Sequence, residues 1–126
     1  MNTHLIGNDG EDMAVGFLKK EGHTILERNY RFRDGEIDII SLEKQKDDPF
    51  GIDEYVVFTE VKYRKDKAHG NPYDAVDLNK QRKISRIASK FLYDNRYPTD
   101  TAVRFDVISI SGDEIEWFKN AFEYKG

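Results

Sequence analysis

The hydrophobic and polar positions of the chain repeat with two periods, and these periods predict where its helices and strands lie. A helical period of about 3.6 residues runs through "GNDGEDMAVGFLKKEGH", where Asn8 or Asp9 is expected to cap the helix and Gly22 to end it. A second helix is predicted from about Leu78 to Tyr93, with Asp77 as its cap. The apolar stripes of the two helices consist of Met13, Ala14, Phe17 and Leu18, and of Ile84, Ile87, Ala88, Phe91 and Leu92.

Five apolar runs with interspersed polar positions are typical of β-strands. They are "TILERNYRF", "EIDIISL", "YVVFTEVKY", "AVRFDVISI" and "EIEWF". Asp34-Gly35 is a turn signal between the first two strands, and the polar segment "EKQKDDPFGIDE" joins the second to the third. Because this loop contains no helical crossover, the second and third strands are expected to pair antiparallel. The fourth strand then joins the sheet through the second helix.

The order of elements is helix, three strands, helix and two strands, which predicts an α/β fold with helices flanking a mixed β-sheet. A length of 126 residues predicts one domain, residues 1–126. The absence of cysteine excludes disulfides, thiolate metal sites and a cysteine nucleophile. No apolar stretch approaches the ~20 residues of a membrane span, and the N-terminus lacks the blocks of a signal peptide. We therefore expect a cytoplasmic protein that does not contact the membrane.

The charge of the chain is distributed unevenly, although its net value is only -4. Residues 62–90 contain nine lysines or arginines and three aspartates, so the remainder of the chain is strongly acidic. A local basic stripe of this kind is typical of nucleic-acid binding even in an acidic protein. The candidate phosphate-contacting residues in this stripe are Arg64, Gln81, Arg82, Lys83 and Arg86.

Two of the most apolar strands carry charged residues where a buried strand would not be expected to have them. Asp38 lies between isoleucines of the second strand, and Glu60 and Lys62 share one face of the third. Two carboxylates on neighbouring strands repel each other unless one is protonated or a cation lies between them. Mg²⁺, or Mn²⁺ in its place, suits such oxygen ligands, and the carbonyl of Val61 could supply another. Lys62 would then help to deprotonate an attacking water or hold an anionic substrate.

Both helices add polar residues to this group. Glu11 precedes Ala14 and Leu18 at helical spacing, so it lies on the buried side of the first helix. Lys80 and Gln81 likewise extend the apolar stripe of the second helix toward its N-terminus. We therefore predict Lys62, Glu11 and Lys80 as catalytic candidates.

Several other polar residues have structural interpretations. Glu36 is either a further carboxylate of the site or an exposed rim residue, and we favour the rim. Asp106 is interpreted as the partner of an arginine such as Arg104 or Arg31. The three histidines share no ligand spacing and are expected at the surface. Packing is favoured over base stacking for the tyrosines considered, which are Tyr30, Tyr63 and Tyr73.

Asp38 followed by Glu60-Val61-Lys62 resembles the PD-(D/E)xK nuclease signature, with Ile37 at the position of its proline. From Gly7 to Phe122, the segments "RNYRFRDGEIDII", "VFTEVKYR", "NKQRKI", "RFDVI" and "EIEWFKNAF" resemble the YraN family of small bacterial proteins. That family is similar to archaeal Holliday-junction resolvases and restriction endonucleases, so the resemblance implies a restriction-endonuclease-like sheet. It also implies that Asp38 and Glu60 are metal ligands, that Lys62 is the catalytic lysine and that Glu11 is the first-helix acid.

The residues and the resemblance together predict a metal-dependent, endonuclease-like protein that hydrolyses phosphodiester bonds in DNA, including branched or processed forms. The alternative is a nucleic-acid-binding module that keeps the nuclease fold without turnover. A small-molecule metal hydrolase is disfavoured because the sequence has no glycine-rich phosphate loop. Cleavage of two strands would favour a homodimer.

Overall fold

A computed structural model of the chain describes residues 3–64 and 76–125, with residues 3–9 described by their backbone alone. The helices and strands follow the predicted order. Their bounds are α1 Thr3–Lys20, β1 Thr24–Phe32, β2 Gly35–Lys44, β3 Glu54–Tyr63, α2 Leu78–Asp94, β4 Val103–Ser111 and β5 Glu114–Phe122. Within these described ranges, no helix is long and apolar enough to cross a membrane.

The five strands form one mixed sheet whose spatial order is the same as their order in the sequence. β2 pairs antiparallel with β1 and β3, and β4 pairs antiparallel with β5. β3 and β4 are parallel because the chain returns between them through α2. The predicted hairpin and crossover are confirmed, and the fold is α/β with a mixed five-stranded sheet.

Each helix covers one face of the sheet, as the two apolar stripes predict. Ala14 and Leu18 of α1 are fully buried against Ile39, Ile108 and Ile110. On the opposite face, α2 packs against a larger cluster from β2, β3 and β4. The residues at the centre of that cluster are Ile40, Phe58, Ile84, Ile87, Phe91 and Phe105. Leu92, predicted in the stripe of α2, is only partly buried beside this cluster.

The predicted N-terminus of α1 is wrong, whereas that of α2 is confirmed. α1 begins at Thr3, so Asn8 and Asp9 lie inside the helix and do not cap it. Gly10 is buried in this helix, and a Cβ there would collide with the hydroxyl of Tyr63. The glycine therefore marks a close approach of β3 and does not mark a helix end. In α2, the Asp77 side chain accepts the Lys80 N–H at 2.8 Å and caps the helix.

A two-residue turn joins β1 to β2. Phe32 pairs with Gly35, so Arg33 and Asp34 form the turn. Arg33 has a φ of 58°, a left-handed conformation that costs a residue with a side chain about 1–2 kcal/mol. Gly35 packs directly against α2, because a Cβ there would lie 2.7 Å from Cδ1 of Ile87. The absence of a Cβ thus lets this turn dock on the helix.

Both edge strands of the sheet are irregular. The register of β1 against β2 shifts between Ile25 and Glu27, and that of β4 against β5 shifts between Phe105 and Val107. β1 also carries Asn29 at a φ of 53°, and β5 carries Asn120 at a φ of 54°. β5 continues to Phe122, four residues beyond the predicted run, and so extends past its register shift against β4.

Candidate functional site

β2 and β3 separate where the charged residues begin. The last backbone pair of their ladder is Ile39 with Thr59, although both strands continue beyond it. At the next position, Oδ2 of Asp38 accepts the N–H of Val61 at 2.8 Å. A side chain thus takes the place of a backbone acceptor, and the sheet opens at this point.

A cleft of about 430 Å³ lies between this opening and the N-terminal half of α2. We call it the acidic cleft, and its lining residues are Asp34, Gly35, Glu36, Asp38, Glu60, Asp77, Asn79, Lys80, Lys83, Ile84 and Ile87. Asp38 and Glu60, predicted from the two apolar strands, both line it, and so does Lys80 from α2. The cleft brings together residues that are far apart in the sequence.

Asp38 has too few positive partners for its carboxylate. Burial of this side chain and the nearby charge of Glu60 raise its pKa to about 7, and the charges of Glu11 and Glu36 add to the increase. The hydrogen bond from the Val61 N–H lowers the pKa but does not outweigh these effects. Desolvation and like charge both act against the ionised form. A cation beside Asp38 would favour that form.

Three carboxylates converge at Asp38, and two of them, Glu36 and Asp38, line the acidic cleft. One oxygen from each of Glu11, Glu36 and Asp38 lies within 4.8 Å of the others. Oxygens that share one Mg²⁺ at about 2.1 Å are roughly 3–4 Å apart, so small side-chain rotations would suffice to bind the ion. Glu36, which we expected at the rim, is half-buried and belongs to this group.

Hydrogen-bond donors on β1, two of them arginines, approach two members of this carboxylate group. Asn29 donates to Oε2 of Glu11 at 3.0 Å, and Arg28 lies 3.9 Å from the same oxygen. Arg31 pairs with Glu36 at 2.8 Å. β1 therefore holds Glu11 and Glu36 in place, whereas Asp38 forms no ion pair with the other described residues.

Glu60 has a different environment, because two lysines approach it. Nζ of Lys80 lies 2.6 Å from Oε1 of Glu60, and Nζ of Lys62 lies 3.7 Å from the same oxygen. The Glu60 side chain is 9% exposed. We predicted Glu60 as a metal ligand, but the group of three carboxylates within ligand distance does not include it. Its Oε1 already has an ammonium partner, so a cation would compete with Lys80 for that atom.

The two lysines have opposite pKa shifts. Burial lowers the pKa of Lys62, and its contact with charged Lys80 lowers it further, against the opposing charges of Glu60 and Asp38. Burial also acts to lower the pKa of Lys80, but the hydrogen bonds to Glu60 and Lys62 and the charges of Glu60 and Asp38 together outweigh it, so the pKa is raised. Lys62 therefore loses its proton more readily than an ordinary lysine, while Lys80 keeps its charge.

The predicted phosphate contacts of α2 differ in their placement. Lys83 lines the acidic cleft beside Ile84 and Ile87 and lies 3.3 Å from Oδ2 of Asp34. Arg82 and Arg86 are exposed. Nε2 of Gln81 donates to the carbonyl of Val76 at 2.9 Å, a contact that supports the start of the helix. Arg64 follows β3, and its N–H donates to the carbonyl of Ile110.

A second group of charged residues, the Arg104 network, lies beside the apolar residues that pack around α1. We define it by His23, Ser41, Glu43, Arg104, Asp106 and Trp117. Asp106 is fully buried and accepts four hydrogen bonds, from Nε and Nη2 of Arg104, Nε1 of Trp117 and the backbone of Asn120. Its predicted pairing with Arg104 is confirmed.

Glu43 and His23 complete the network. Arg104 donates to Glu43 at 2.6 Å, and the imidazole of His23 bridges Ser41 at 2.9 Å and Glu43 at 2.7 Å. Our prediction that His23 lies at the surface is wrong, because this residue is only 4% exposed. The other two histidines, His4 and His69, have side chains outside the described residues. Glu43 sits two residues from Ser41 on β2, a spacing that could have indicated a shared face.

The tyrosines follow the packing interpretation where the structure describes them. The ring of Tyr30 packs edge-on against Phe91 at 5.4 Å between centroids. Tyr63 is 49% exposed and lies over Gly10 of α1. Tyr73 falls outside the described residues.

Fold and site together define a small α/β protein whose mixed sheet opens into a carboxylate cleft flanked by two lysines. The chain belongs to the uncharacterised protein family UPF0102, whose model matches residues 10–110, and this is the YraN family that the sequence resembles. A UPF0102 protein of Fusobacterium nucleatum is 46% identical over 95% of this chain and 92% of its own length. Another, from Lachnoclostridium phytofermentans, is 41% identical over 100% of this chain and 99% of its own length.

Among solved structures, the chain has a weak similarity to Pyrococcus furiosus SfsA in complex with Ca²⁺. The two are 13% identical with a TM-score of 0.28, over 94% of this chain and 64% of that one. The strand order and helix placement described above do not depend on this similarity.

Proposed function

We propose that this protein is a divalent-cation-dependent nuclease that hydrolyses phosphodiester bonds in DNA at the acidic cleft. One observation carries the proposal: Asp38, whose pKa is raised, lies within ligand distance of Glu11 and Glu36, and the neighbouring Glu60 contacts two lysines with opposite pKa shifts, Lys62 and Lys80. Perturbed ionisable groups that converge in a cleft are typical of catalytic sites. The resemblance to PD-(D/E)xK nucleases agrees with this interpretation.

The chemistry of the donor set fits a hard divalent cation. Glu11, Glu36 and Asp38 offer only carboxylate oxygens, the ligands that Mg²⁺ and Mn²⁺ prefer. The carbonyl of Val61 is a further candidate, and Glu60 would join if it released Lys80. A cation held here would polarise the scissile phosphodiester and neutralise part of its charge.

The two lysines supply the remaining chemistry. Nζ of Lys62 accepts a proton from the attacking water, because its lowered pKa makes the neutral amine more accessible. Lys80 remains an ammonium and stabilises the negative charge that develops on the phosphoryl oxygens. Two chemically identical groups thus take different roles because their surroundings differ.

Cation binding is tested by calorimetric melting in increasing Mn²⁺, since a ligand of the native state raises the melting temperature. We expect wild type to respond, Asp38→Asn to lose most of the response, and Glu60→Gln to keep part of it. Asp113→Asn, which alters an exposed turn carboxylate, is the matched control. Equal responses from wild type and Asp38→Asn would refute a cation site at Asp38.

Hydrolysis is tested by single-turnover cleavage of labelled single-stranded, duplex and four-way-junction DNA in Mg²⁺ and Mn²⁺. We expect wild type to cleave at least one of these substrates and Asp38→Asn to lose that activity. A matching RNA panel tests whether cleavage depends on the sugar of the substrate. The absence of cleavage by pure wild-type protein in both metals would contradict the proposal.

A nucleic-acid-binding module without turnover is the second candidate, and the ion pair between Lys80 and Glu60 favours it. That contact, at 2.6 Å, already neutralises one of the two carboxylates expected to bind the metal. Such a protein would bind DNA, show little Mn²⁺ response and leave the DNA intact. The two experiments above therefore separate the candidates.

A further inference from the structure

A second cleft of about 330 Å³ lies beside the acidic cleft, at the turn between β1 and β2. We call it the basic cleft, and it is lined by Phe32, Arg33, Asp34, Lys83, Arg86 and Ile87. Asp34, Lys83 and Ile87 line both clefts, so the two are direct neighbours. A polymer that entered one would pass the other.

The two clefts have opposite charge. The acidic cleft is lined by five carboxylates and two lysines, whereas the basic cleft is lined by three cationic side chains and one carboxylate. That carboxylate belongs to Asp34, and it pairs with Lys83 at 3.3 Å. Among residues 3–64 and 76–125, no salt bridge joins Arg33 or Arg86 to a carboxylate. Two guanidinium groups thus remain available to an anion.

The turn holds Arg33 in position at the mouth of the basic cleft. Its φ of 58° is a left-handed conformation that glycine or asparagine would adopt more readily. Its guanidinium lies 5.2 Å from the centre of the Phe32 ring, which restricts its orientation. Gly35 fixes the turn on α2 through its contact with Ile87. An arginine kept at a strained position of a rigid turn indicates a role for its side chain.

We propose that the basic cleft binds the backbone phosphate next to the phosphodiester held in the acidic cleft, so that one DNA strand crosses the β1–β2 turn. This inference rests on the proposed function for the identity of the neighbouring site. Guanidinium groups suit a phosphate because their planar donors match its oxygens. Lys83 lies between the two positions and is shared by both clefts. The cations also explain how a strand of negative charge approaches a cleft rich in carboxylates.

The first test measures binding of a fluorescein-labelled single-stranded DNA by anisotropy in Ca²⁺ at several salt concentrations. For Arg33→Gln/Arg86→Gln we expect the dissociation constant to rise at least about tenfold at 0.1 M salt. The slope of its logarithm against the logarithm of salt should fall by about 0.7, the value for one single-strand phosphate contact. Lys44→Gln/Lys46→Gln removes two exposed charges elsewhere and should change neither quantity.

A second variant separates loss of binding from loss of folding. Arg33→Gly removes the guanidinium and also relieves the left-handed strain, because glycine adopts a positive φ freely. We expect its melting temperature to rise while its DNA affinity falls. Affinity and stability that fell together would indicate that Arg33 only supports the turn, and this would overturn the proposal.

The outcomes also distinguish this inference from the proposed function. Wild-type affinity in Arg33→Gln/Arg86→Gln would overturn the basic cleft, even if Mn²⁺ still raised the melting temperature. Weakened binding in that variant, together with wild-type protein that cuts no DNA, would refute the nuclease and retain the basic cleft. An absence of DNA binding by wild type in Ca²⁺ would overturn the basic cleft.

Discussion

The acidic cleft and the Arg104 network are two groups of charged residues in one sheet, and they differ in how their carboxylates are partnered. In the network, Arg104 lies between Asp106 and Glu43, and its hydrogen bonds outweigh the effect of burial and hold the pKa of Glu43 down at about 2. In the acidic cleft, burial and neighbouring carboxylates raise the pKa of Asp38 to about 7. Two carboxyl groups in the same sheet thus have pKa values shifted in opposite directions.

This difference separates a structural role from a functional one. The protein itself supplies every partner that Asp106 needs, so the network is complete without a ligand. Glu11 and Glu36 have partners on β1, and Glu60 pairs with Lys80. Asp38 forms no ion pair among the described residues and faces like charges, an arrangement that costs stability unless something else binds. A cluster that the fold leaves unbalanced is the better candidate for a binding site.

The largest expected effect comes from breaking the network. Arg104→Met leaves Glu43 and Asp106 buried without their cation, and loss of one partner of a buried ion pair typically costs about 3–5 kcal/mol. Urea unfolding of wild type, Arg104→Met and the exposed control Arg82→Met measures the change. A loss similar to that of Arg82→Met would show that the network does not stabilise the fold.

A smaller effect is expected on catalysis from Lys62. Lys62→Ala should reduce single-turnover cleavage by about 10²-fold, roughly 2.7 kcal/mol, while Mn²⁺ still raises the melting temperature. Lys62→Arg should not restore the rate, because a guanidinium does not release its proton near neutral pH. Lys19→Ala, an exposed lysine of α1, serves as the control. Full activity in Lys62→Arg would mean that only the charge matters.

The next effect is a loss of stability in acid, traced to Glu43. Because the native pKa of about 2 lies below the ordinary value of 4.5, the contribution of Glu43 to stability is present above pH 4.5 and is lost as the pH falls toward 2. We expect this contribution to be on the order of 2 kcal/mol. Glu43→Gln should be less stable at pH 7 and show a flatter pH profile over this window. An unchanged pH profile in Glu43→Gln would contradict this expectation. Glu116→Gln, which alters an exposed carboxylate, is the control.

The smallest expected effect is a gain in stability, caused by the removal of the Asp38 carboxylate. The native pKa of Asp38, about 7, lies above the ordinary value of 3.8, so its favourable contribution to stability is present below pH 3.8 and is lost as the pH rises toward 7. Asp38→Asn should therefore stabilise the cation-free protein at pH 8 by about 1 kcal/mol, or roughly 3–5 °C in melting temperature. The measurement is calorimetric melting in EDTA at pH 5 and pH 8. Destabilisation at pH 8 would place Asp38 with the structural carboxylates.

The parts of the molecule that the sequence predicts are those with a local signal. The helical stripes, the turn near Gly35 and the cap at Asp77 depend on residues close in the chain, and so does the position of Asp38 and Glu60 within apolar runs. The start of α1 is misassigned because Asn8 and Asp9 are residues that favour an N-cap, whereas the helix begins at Thr3 and passes through both. Asparagine and aspartate inside a helix look the same in the sequence as they do at its cap.

The parts that escaped prediction depend on distant contacts. Arg104 and Glu43 are 61 residues apart, and no local pattern indicates that the first pairs with the second. The same holds for Lys80 on α2 and Glu60 on β3, whose ion pair changes the expected ligand set. Glu36 was placed at the rim because its alternation with Asp38 does not show how closely α1 brings Glu11.

The register shifts in β1 and β5 have a consequence for how copies of this chain meet. An open sheet offers unpaired backbone groups along both borders, and a regular border invites a second chain to extend the sheet. Here each border strand is interrupted and carries an asparagine with positive φ. Such interruptions disfavour edge-to-edge pairing of two sheets and therefore disfavour aggregation. We therefore expect any homodimer to assemble through its helices or loops and not by joining two sheets into one.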